Sequence, residues 1–209
     1  MYALVTDGSI AKYLRGNRGL TIGDIQYPRD IFSKWTESQR NAIGIFEVIQ
    51  NNAKKKDEAY YTNTNQTFTY DADAGTVTAT YGDATAVAHA DTLWTQADSD
   101  NGDLPSDKSV GDVKVEGLKT KLIRTVKAQA AGILQDTDWY IVRKADAGTA
   151  VPSAITTHRA AVRTKAASME TAITNASNTP ALETLYAYVN TGTEENPVYE
   201  RPLGELPVL

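Results

Sequence analysis

The first half of the chain alternates between apolar and polar residues, which predicts β structure. Residues 1–5 and 10–14 form short apolar or alternating runs, and the Asp-Gly pair in the sequence TDGS between them is typical of a tight hairpin turn. The sequence IFEVIQ, residues 45–50, has the composition of a strand. A small β-rich module is therefore expected at the start of the chain.

The most regular alternation lies in the sequence QTFTYDADAGTVTATYGD, residues 66–83. Apolar residues alternate with threonines on both sides of a turn that ends at Gly75. This pattern is typical of an antiparallel hairpin with one buried and one solvated face. The apolar positions are Phe68, Tyr70, Val77, Ala79 and Tyr81, and the threonines are Thr67, Thr69, Thr76, Thr78 and Thr80.

A short helical segment is expected between these two β regions. Ile31, Phe32 and Trp35 recur at helical spacing. Thr36 is followed three residues later by Gln39, which is the pattern of a capping box at a helix start.

The second half of the chain has a helical period, because its apolar residues recur every three or four positions. Two amphipathic helices are predicted, and a third short helix has Pro180 in its first turn. The first stripe is Val115, Leu118, Leu122, Val126, Ala130 and Ile133, the second is Ile155, His158, Val162, Ala166, Met169, Ile173 and Ala176, and the third is Leu182, Leu185, Tyr186 and Val189.

Two further segments complete the expected organisation. Residues 90–117 contain seven acidic residues against two lysines, which indicates a linker between domains. Residues 191–209 contain three prolines and no period, which indicates an extended tail. We therefore expect an α+β fold with a β-rich module at 1–89, an acidic linker at 90–117, an antiparallel helical hairpin at 118–190 and the tail at 191–209.

Composition narrows the classes of function. The chain has 209 residues, 41% of them hydrophobic, and a net charge of −5, so we expect a folded protein whose surface as a whole repels polyanions. The absence of cysteine excludes disulfides, thiolate zinc sites, iron–sulfur clusters and cysteine nucleophiles. The first apolar run meets Asp7 too soon for a signal peptide or a membrane span, so we expect the chain to be made in a cytoplasm and used as made.

No motif for metal binding or catalysis stands out. Asp98, Asp100 and Asp103 offer oxygen ligands for calcium, but an EF-hand loop starting at Asp98 needs glycine at position 103 and glutamate at position 109. His89 and His158 lack the spacing of a metal pair and are expected in core or helix-surface roles. The chain has no phosphate-loop, dinucleotide-binding or nucleophile-elbow pattern.

The sequence DTDWYIVRKADAGTAVPSAI, residues 136–155, lies between the two long helical patterns. Basic residues exceed acidic ones between residues 118 and 170, so Trp139 and Tyr140 are candidate stacking groups for a nucleic acid. The alternative is that these charges pair with the acidic segment or solvate the helices. In that case we expect Trp139 to be buried in the core of the helix pair, with Arg143 available to a partner or to the acidic segment.

Two sets of residues, one between positions 138 and 163 and one between positions 10 and 48, resemble the tail-fibre assembly proteins of tailed bacteriophages and related small tail proteins. In the C-terminal half the matching residues are Asp138, Trp139, Tyr140, Arg143, Gly148, Pro152, Arg159 and Arg163. In the N-terminal half they are Ile10, Tyr13, Pro28, Gly44 and Val48.

The resemblance implies a non-enzymatic structural protein of the virion tail, in the baseplate or fibre-attachment region, made in the host bacterial cytoplasm. It implies no cofactor and no metal. The expected partners are other tail proteins, such as fibre or baseplate subunits, and neither a nucleic acid nor a membrane is expected. Multiple copies in a symmetric assembly are also expected. The candidate docking residues are Trp139, Tyr140, Arg143, Arg159, Arg163, Pro197, Tyr199 and Leu206. The alternatives are a tail-fibre assembly chaperone absent from the mature particle and, from another class, a nucleic-acid-binding or enzymatic role of the basic helix face.

Overall fold

In the computed structural model, which describes residues 1–16 and 18–209, the chain first reverses direction at Asp7 and Gly8. Both residues have positive φ angles, 51° and 73°, as the tight turns of β hairpins require. The turn joins β1 (Tyr2–Thr6) to β2 (Ser9–Leu14) in an antiparallel pair. The first predicted hairpin is therefore confirmed.

The chain divides into two compact units, which we name unit 1 (Met1–Thr85) and unit 2 (Ala86–Leu209). Strands and helices both contribute to the structure, so the predicted α+β class is confirmed. Residues 90–117, expected as a linker, fall inside unit 2, and the division lies after Thr85.

The remaining elements of unit 1 follow in chain order. They are β3 (Leu20–Ile22), β4 (Ile25–Tyr27), α1 (Ile31–Lys34), α2 (Glu37–Asn41), β5 (Ile45–Asn51), β6 (Tyr61–Thr62), β7 (Thr67–Asp71), β8 (Thr76–Thr80) and β9 (Thr85–Ala86), which ends one residue into unit 2. Five of the strands form a sheet in the order β2-β1-β5-β8-β7. The rings of Tyr13 on β2 and Phe68 on β7 lie 4.6 Å apart, so the sheet curls until its two edge strands approach each other.

Both faces of this sheet are covered by apolar side chains. One cluster contains Ala3, Phe46, Val48, Val77 and Ala79, with Val5, Ile10, Phe68 and Tyr70 packed against it. The other contains Leu14, Ile31 and Ile45, with side chains from β3, β4 and α1 packed against it. The hairpin predicted at residues 66–83 is confirmed as β7 and β8, and four of its apolar side chains belong to the first cluster.

The capping box predicted at Thr36 and Gln39 is confirmed. The Thr36 hydroxyl accepts a hydrogen bond from the Gln39 backbone N–H, and the Gln39 side chain accepts one from the Thr36 backbone N–H. The helix α2 that starts there carries Arg40, which is buried, donates to the Trp35 carbonyl and lies 5.4 Å from the centroid of the Tyr2 ring. This arginine ties α2 to the second apolar cluster.

Unit 2 contains short elements at both ends and four longer helices between them. Its elements are β10 (Thr92–Leu93), α3 (Gln96–Asp100), β11 (Val113–Val115), α4 (Leu118–Gln135), α5 (Asp138–Ala147), α6 (Ser153–Asn175), α7 (Thr179–Tyr186), β12 (Val189–Asn190) and β13 (Tyr199–Glu200). Pro180 lies in the first turn of α7, as predicted. Val115, predicted to begin the first helical stripe, lies instead in the exposed strand β11.

The helices α4 and α6 pack against each other along the predicted apolar stripes. All seven stripe residues from Ile155 to Ala176 are buried, so this part of the prediction is confirmed. Lys119 Nζ at the start of α4 donates to the Thr174 carbonyl near the end of α6, at 2.8 Å. Arg159 near the start of α6 donates to the Leu134 carbonyl near the end of α4.

The acidic segment has structure of its own. Thr95 caps α3 in a capping box, in which the Asp98 side chain accepts hydrogen bonds from the Thr95 backbone N–H and hydroxyl. Asp98 also pairs with Lys114 at 2.5 Å. Asp91 accepts hydrogen bonds from the Gly117 backbone N–H and the Thr120 hydroxyl, at 2.7 and 2.8 Å. These carboxylates bind neighbouring donors, so the segment is an ordered part of unit 2.

The Asp98 interactions predict a dependence of stability on pH. Its pKa is lowered from 3.8 to about 2, first by the hydrogen bond from Lys114 and then by those from Thr95. Because the folded pKa lies below the unfolded one, this stabilisation is complete above about pH 4 and is lost as the pH falls toward 2. We therefore expect Asp98→Asn to lower the midpoint of thermal unfolding at neutral pH, and the difference from wild type to shrink below pH 4.

Thermal unfolding followed by circular dichroism across this pH range measures the effect. Asp103→Asn is the matched control, because Asp103 is exposed and forms no ion pair among the described residues. A difference between wild type and Asp98→Asn that stays constant with pH would contradict the assignment.

The C-terminal segment, expected as an extended tail, folds back onto unit 2. β12 and β13 pair as a hairpin, and Leu203 is buried. The Leu203 backbone N–H donates to the Leu185 carbonyl, and its carbonyl accepts from Lys165 Nζ, both at 2.9 Å. The backbone polar groups around Leu203 thus find partners within the same unit.

Candidate docking site

The helix α5 carries three side chains that stack on one another, which we name the α5 stack: Trp139, Tyr140 and Arg143. The two ring centroids lie 4.0 Å apart with a tilt of 34°. The Arg143 guanidinium carbon lies 4.6 Å from the Trp139 ring centroid and 5.6 Å from that of Tyr140. Residues four apart share a helix face, so the spacing of Trp139 and Arg143 places the cation over the indole ring.

Trp139 is 51% exposed, so the expectation that it is buried in the core of the helix pair is wrong. The physical reason is that residues 138–147 form a helix of their own, whereas the sequence pattern indicated a connection between two helices. The apolar residues Ile141 and Val142 point in other directions around α5 and are exposed as well. No residue of α5 is buried, so its aromatic side chains lie on the surface of unit 2.

Arg159, expected to be available to a partner, is only 6% exposed. Its Nη1 donates to the Leu134 carbonyl at 2.7 Å and to the Thr137 hydroxyl at 2.6 Å, and its Nη2 pairs with Asp138 at 2.8 Å. A guanidinium at the carbonyl end of α4 also interacts favourably with the helix dipole. Arg159 therefore positions the start of α5 against α4 and α6, and is corrected from a docking residue to a positioning residue.

The Arg143 side chain is half-buried by the two rings beneath it. Its Nε is buried and has no hydrogen-bond partner among the described residues. Stacking restricts the side chain in advance, so little rotational freedom remains to be lost on binding. The α5 stack can present a flat aromatic surface with a fixed positive charge to a carboxylate or carbonyl of a partner protein.

The other candidate docking residues lie elsewhere on unit 2. Arg163 is exposed on α6, about one turn beyond Arg159. Pro197 and Tyr199 are exposed in and beside the hairpin formed by β12 and β13. Leu206 lines a cavity of about 450 Å³ together with Ile133 and Met169. Among the candidate docking residues, the contacts between described residues join only Trp139, Tyr140 and Arg143 to one another, whereas Arg159 contacts Thr137 and Asp138, just before the stack.

A second concave surface, in unit 1, was missed by the sequence analysis. Lys12, Arg15 and Arg18 line a cavity of about 490 Å³ that also contacts Leu20 and Phe32, and we name it the basic cleft. The available signal was the sequence KYLRGNR, which holds three cations within seven residues. Its significance depends on the cavity, which the linear pattern does not reveal.

Two features are absent from the described residues. Residues 1–16 and 18–209 contain no group of three or more histidine or carboxylate side chains arranged to hold a metal ion. Within the same residues, none of the helices is both long and apolar enough to cross a membrane.

No protein-family model, curated protein or solved structure matches the chain.

Proposed function

We propose that this protein is a non-enzymatic structural component of a bacteriophage tail, located in the virion at the baseplate or fibre-attachment region, that acts by docking to other tail proteins. The observation that carries the proposal is the exposed α5 stack. Its three residues, Trp139, Tyr140 and Arg143, are among those on which the resemblance to small phage tail proteins is based.

The composition of the α5 stack supports a role in docking. Tryptophan, tyrosine and arginine are the residues that most often contribute large binding energies at protein interfaces. An exposed tryptophan is covered only when a partner binds, whereas Arg159 holds the start of the helix rigidly in place. A rigid aromatic surface loses little conformational freedom on association.

This proposal predicts that the α5 stack can be altered without unfolding the protein. Trp139→Ala is expected to lower the free energy of unfolding by no more than about 1.5 kcal/mol, because half of the side chain is already exposed and complete burial contributes about 1.5–3 kcal/mol. Arg143→Ala is expected to have a smaller effect on stability. In phage that carry either variant, the amount of this chain in purified particles is expected to fall at least about tenfold, a loss of roughly 1.4 kcal/mol in docking.

Quantitative mass spectrometry of purified particles, with the major tail protein as internal standard, is the test. A fixed ratio to that protein supports a structural subunit in a symmetric ring. Lys144→Ala is the matched control, because Lys144 is exposed on the same helix and lies outside the stack. Normal incorporation of both stack variants, or absence of the wild-type chain from particles, would contradict the proposal.

The second candidate function is a tail-fibre assembly chaperone, and the same stretch of residues 138–163 favours it through the resemblance to that family. A chaperone is present in infected cells and absent from finished particles. Co-expression with the fibre protein distinguishes the two functions, since soluble fibre trimer depends on a chaperone and not on a structural subunit. A salt-sensitive shift of DNA by the chain would instead indicate nucleic-acid binding.

A further inference from the structure

The basic cleft of unit 1 concentrates positive charge on a chain that is acidic as a whole. Lys12, Arg15 and Arg18 are exposed, and none of them forms an ion pair among the described residues. The chain carries a net charge of −5, so these three cations form a local exception. Like charges around one cavity repel each other until an anion binds between them. The cleft is therefore suited to an acidic ligand.

The walls of the basic cleft also limit the kind of ligand. The side chains of Leu20 and Phe32 add apolar surface between the cations. At Gly16, where φ is 72°, an added Cβ would lie 3.0 Å from the Tyr2 ring and 3.4 Å from the Phe32 ring, so a glycine lets the backbone pass close to these rings. A cavity of about 490 Å³ accommodates several side chains. These properties fit a short peptide segment that combines carboxylates with apolar groups.

Unit 2 carries a segment with the complementary properties, which we name the acidic hairpin: residues 189–200. Glu194 and Glu195 lie at its tip and Glu200 lies on β13. All three are exposed, and none forms an ion pair among the described residues. Beside them, the apolar side chains of Val198 and Tyr199 are exposed as well. The hairpin thus offers three unpaired carboxylates next to two uncovered apolar groups.

The tip of the acidic hairpin is held in shape by its own hydrogen bonds. The Thr193 backbone N–H donates to the Asn196 carbonyl, and the Asn196 backbone N–H donates to the Thr193 hydroxyl, both at 3.1 Å. An added Cβ at Gly192 would lie 2.3 Å from the Asn196 carbonyl oxygen, so only glycine permits this close turn. A preorganised tip loses little conformational entropy on docking.

We propose that the acidic hairpin of one copy docks into the basic cleft of a second copy of the same chain. Three carboxylates face three cations, and Val198 and Tyr199 cover Leu20 and Phe32. The contact joins two different surfaces, so a pair of copies retains one free cleft, on the copy whose hairpin is docked, and one free hairpin, on the other copy. Such head-to-tail contacts generate rings when the rotation between copies closes, and open filaments when it does not.

Sedimentation velocity of the full-length chain over a range of concentrations tests the proposal. Wild type is expected to self-associate at about 0.05 M salt and to dissociate toward monomer at about 0.5 M, because salt screens exposed charges. Reversing the cleft charges (Lys12→Glu, Arg15→Glu, Arg18→Glu) is expected to weaken association about a hundredfold or more. Reversing the hairpin charges (Glu194→Lys, Glu195→Lys, Glu200→Lys) is expected to have the same effect.

An equal mixture of the two charge-reversed variants provides the decisive arm. The reversed cleft of one variant can bind the reversed hairpin of the other, and the native hairpin of the first can bind the native cleft of the second. The mixture is therefore expected to associate as wild type does. The matched control, Arg29→Glu with Lys121→Glu and Lys144→Glu, changes the net charge by the same amount at exposed positions and is expected to retain association. Circular dichroism confirms folding, and alanine at the three cleft positions serves if the glutamate variant unfolds.

Three outcomes overturn the proposal: a wild-type chain that stays monomeric at low salt, a charge-reversed mixture that does not associate, and a control that weakens association as much as the cleft variant. If a labelled oligonucleotide binds wild type and the cleft variant loses that binding while still associating, the ligand of the cleft is nucleic acid and the proposed occupant is wrong. None of these variants changes the α5 stack, so failure here is distinguishable from failure of the tail-docking proposal.

Discussion

Ile45→Ala is expected to destabilise unit 1 by about 2–5 kcal/mol, the range for truncating a fully buried isoleucine. Ile45 lies on the central strand β5, is 0% exposed and packs in the apolar cluster with Leu14 and Ile31. Alanine removes three carbon atoms and leaves a cavity, because the sheet on one side and α1 on the other restrict collapse into the space.

Ile49 on the same strand is the matched control, since it is 52% exposed. Ile49→Ala removes the same atoms from the same type of backbone, and its effect is expected to stay below about 1 kcal/mol. Urea unfolding, with hydrogen exchange of the β5 and β1 amides to locate the effect, is the measurement. Similar losses of stability in the two variants would show that Ile45 is not part of the core as described.

Arg159→Met is expected to destabilise unit 2 by about 3–6 kcal/mol, since two hydrogen bonds from a charged group are lost and each contributes about 1.5–3 kcal/mol. Methionine fills a similar volume but removes the bonds to the Leu134 carbonyl and the Thr137 hydroxyl, together with the ion pair to Asp138. Arg159→Lys keeps the charge but not the forked geometry, so an intermediate loss is expected.

Arg163→Met is the control for this prediction, because Arg163 lies on the same helix and is exposed. Its effect on the free energy of unfolding is expected to lie within about 0.5 kcal/mol. A second readout separates positioning from general stability. In Arg159→Met, hydrogen exchange relative to wild type is expected to accelerate more at the amides at the start of α5 than at those in the middle of α6. Uniform acceleration across unit 2 would argue against a specific role at the α5 start.

Local patterns predicted the five strands of the main sheet and the helices α2, α4, α6 and α7. The Asp-Gly turn, the capping box at Thr36 and the hairpin at residues 66–83 all follow from interactions between residues close in sequence. Such interactions do not depend on the rest of the chain, since a turn needs certain φ angles and a cap needs a donor within one helical turn.

The two arginines of α6 illustrate where sequence reasoning failed. Arg159 and Arg163 both occur in the sequence THRAAVR, and nothing in that spacing distinguishes them. Arg159 is buried because the carbonyl end of α4 and Thr137 lie beside it, more than twenty residues away in the chain. The positions of Asp91, in the acidic segment, and of Leu203 likewise depend on donors distant in the chain. Thr120 donates to Asp91, and Lys165 donates to the Leu203 carbonyl.

The sequence by itself determined the α+β class, the positions of the five strands of the main sheet and of the helices α4, α6 and α7, the buried face of α6 and the absence of thiol chemistry. Periodicity and composition carry that information, because they act over one or two turns of the chain. Only the tertiary structure decided which charges and aromatic rings are exposed: Trp139 lies on the surface, Arg159 is buried, and three cations lie around one cleft. Exposure depends on what packs against a residue from elsewhere in the chain, and no local pattern encodes that neighbour.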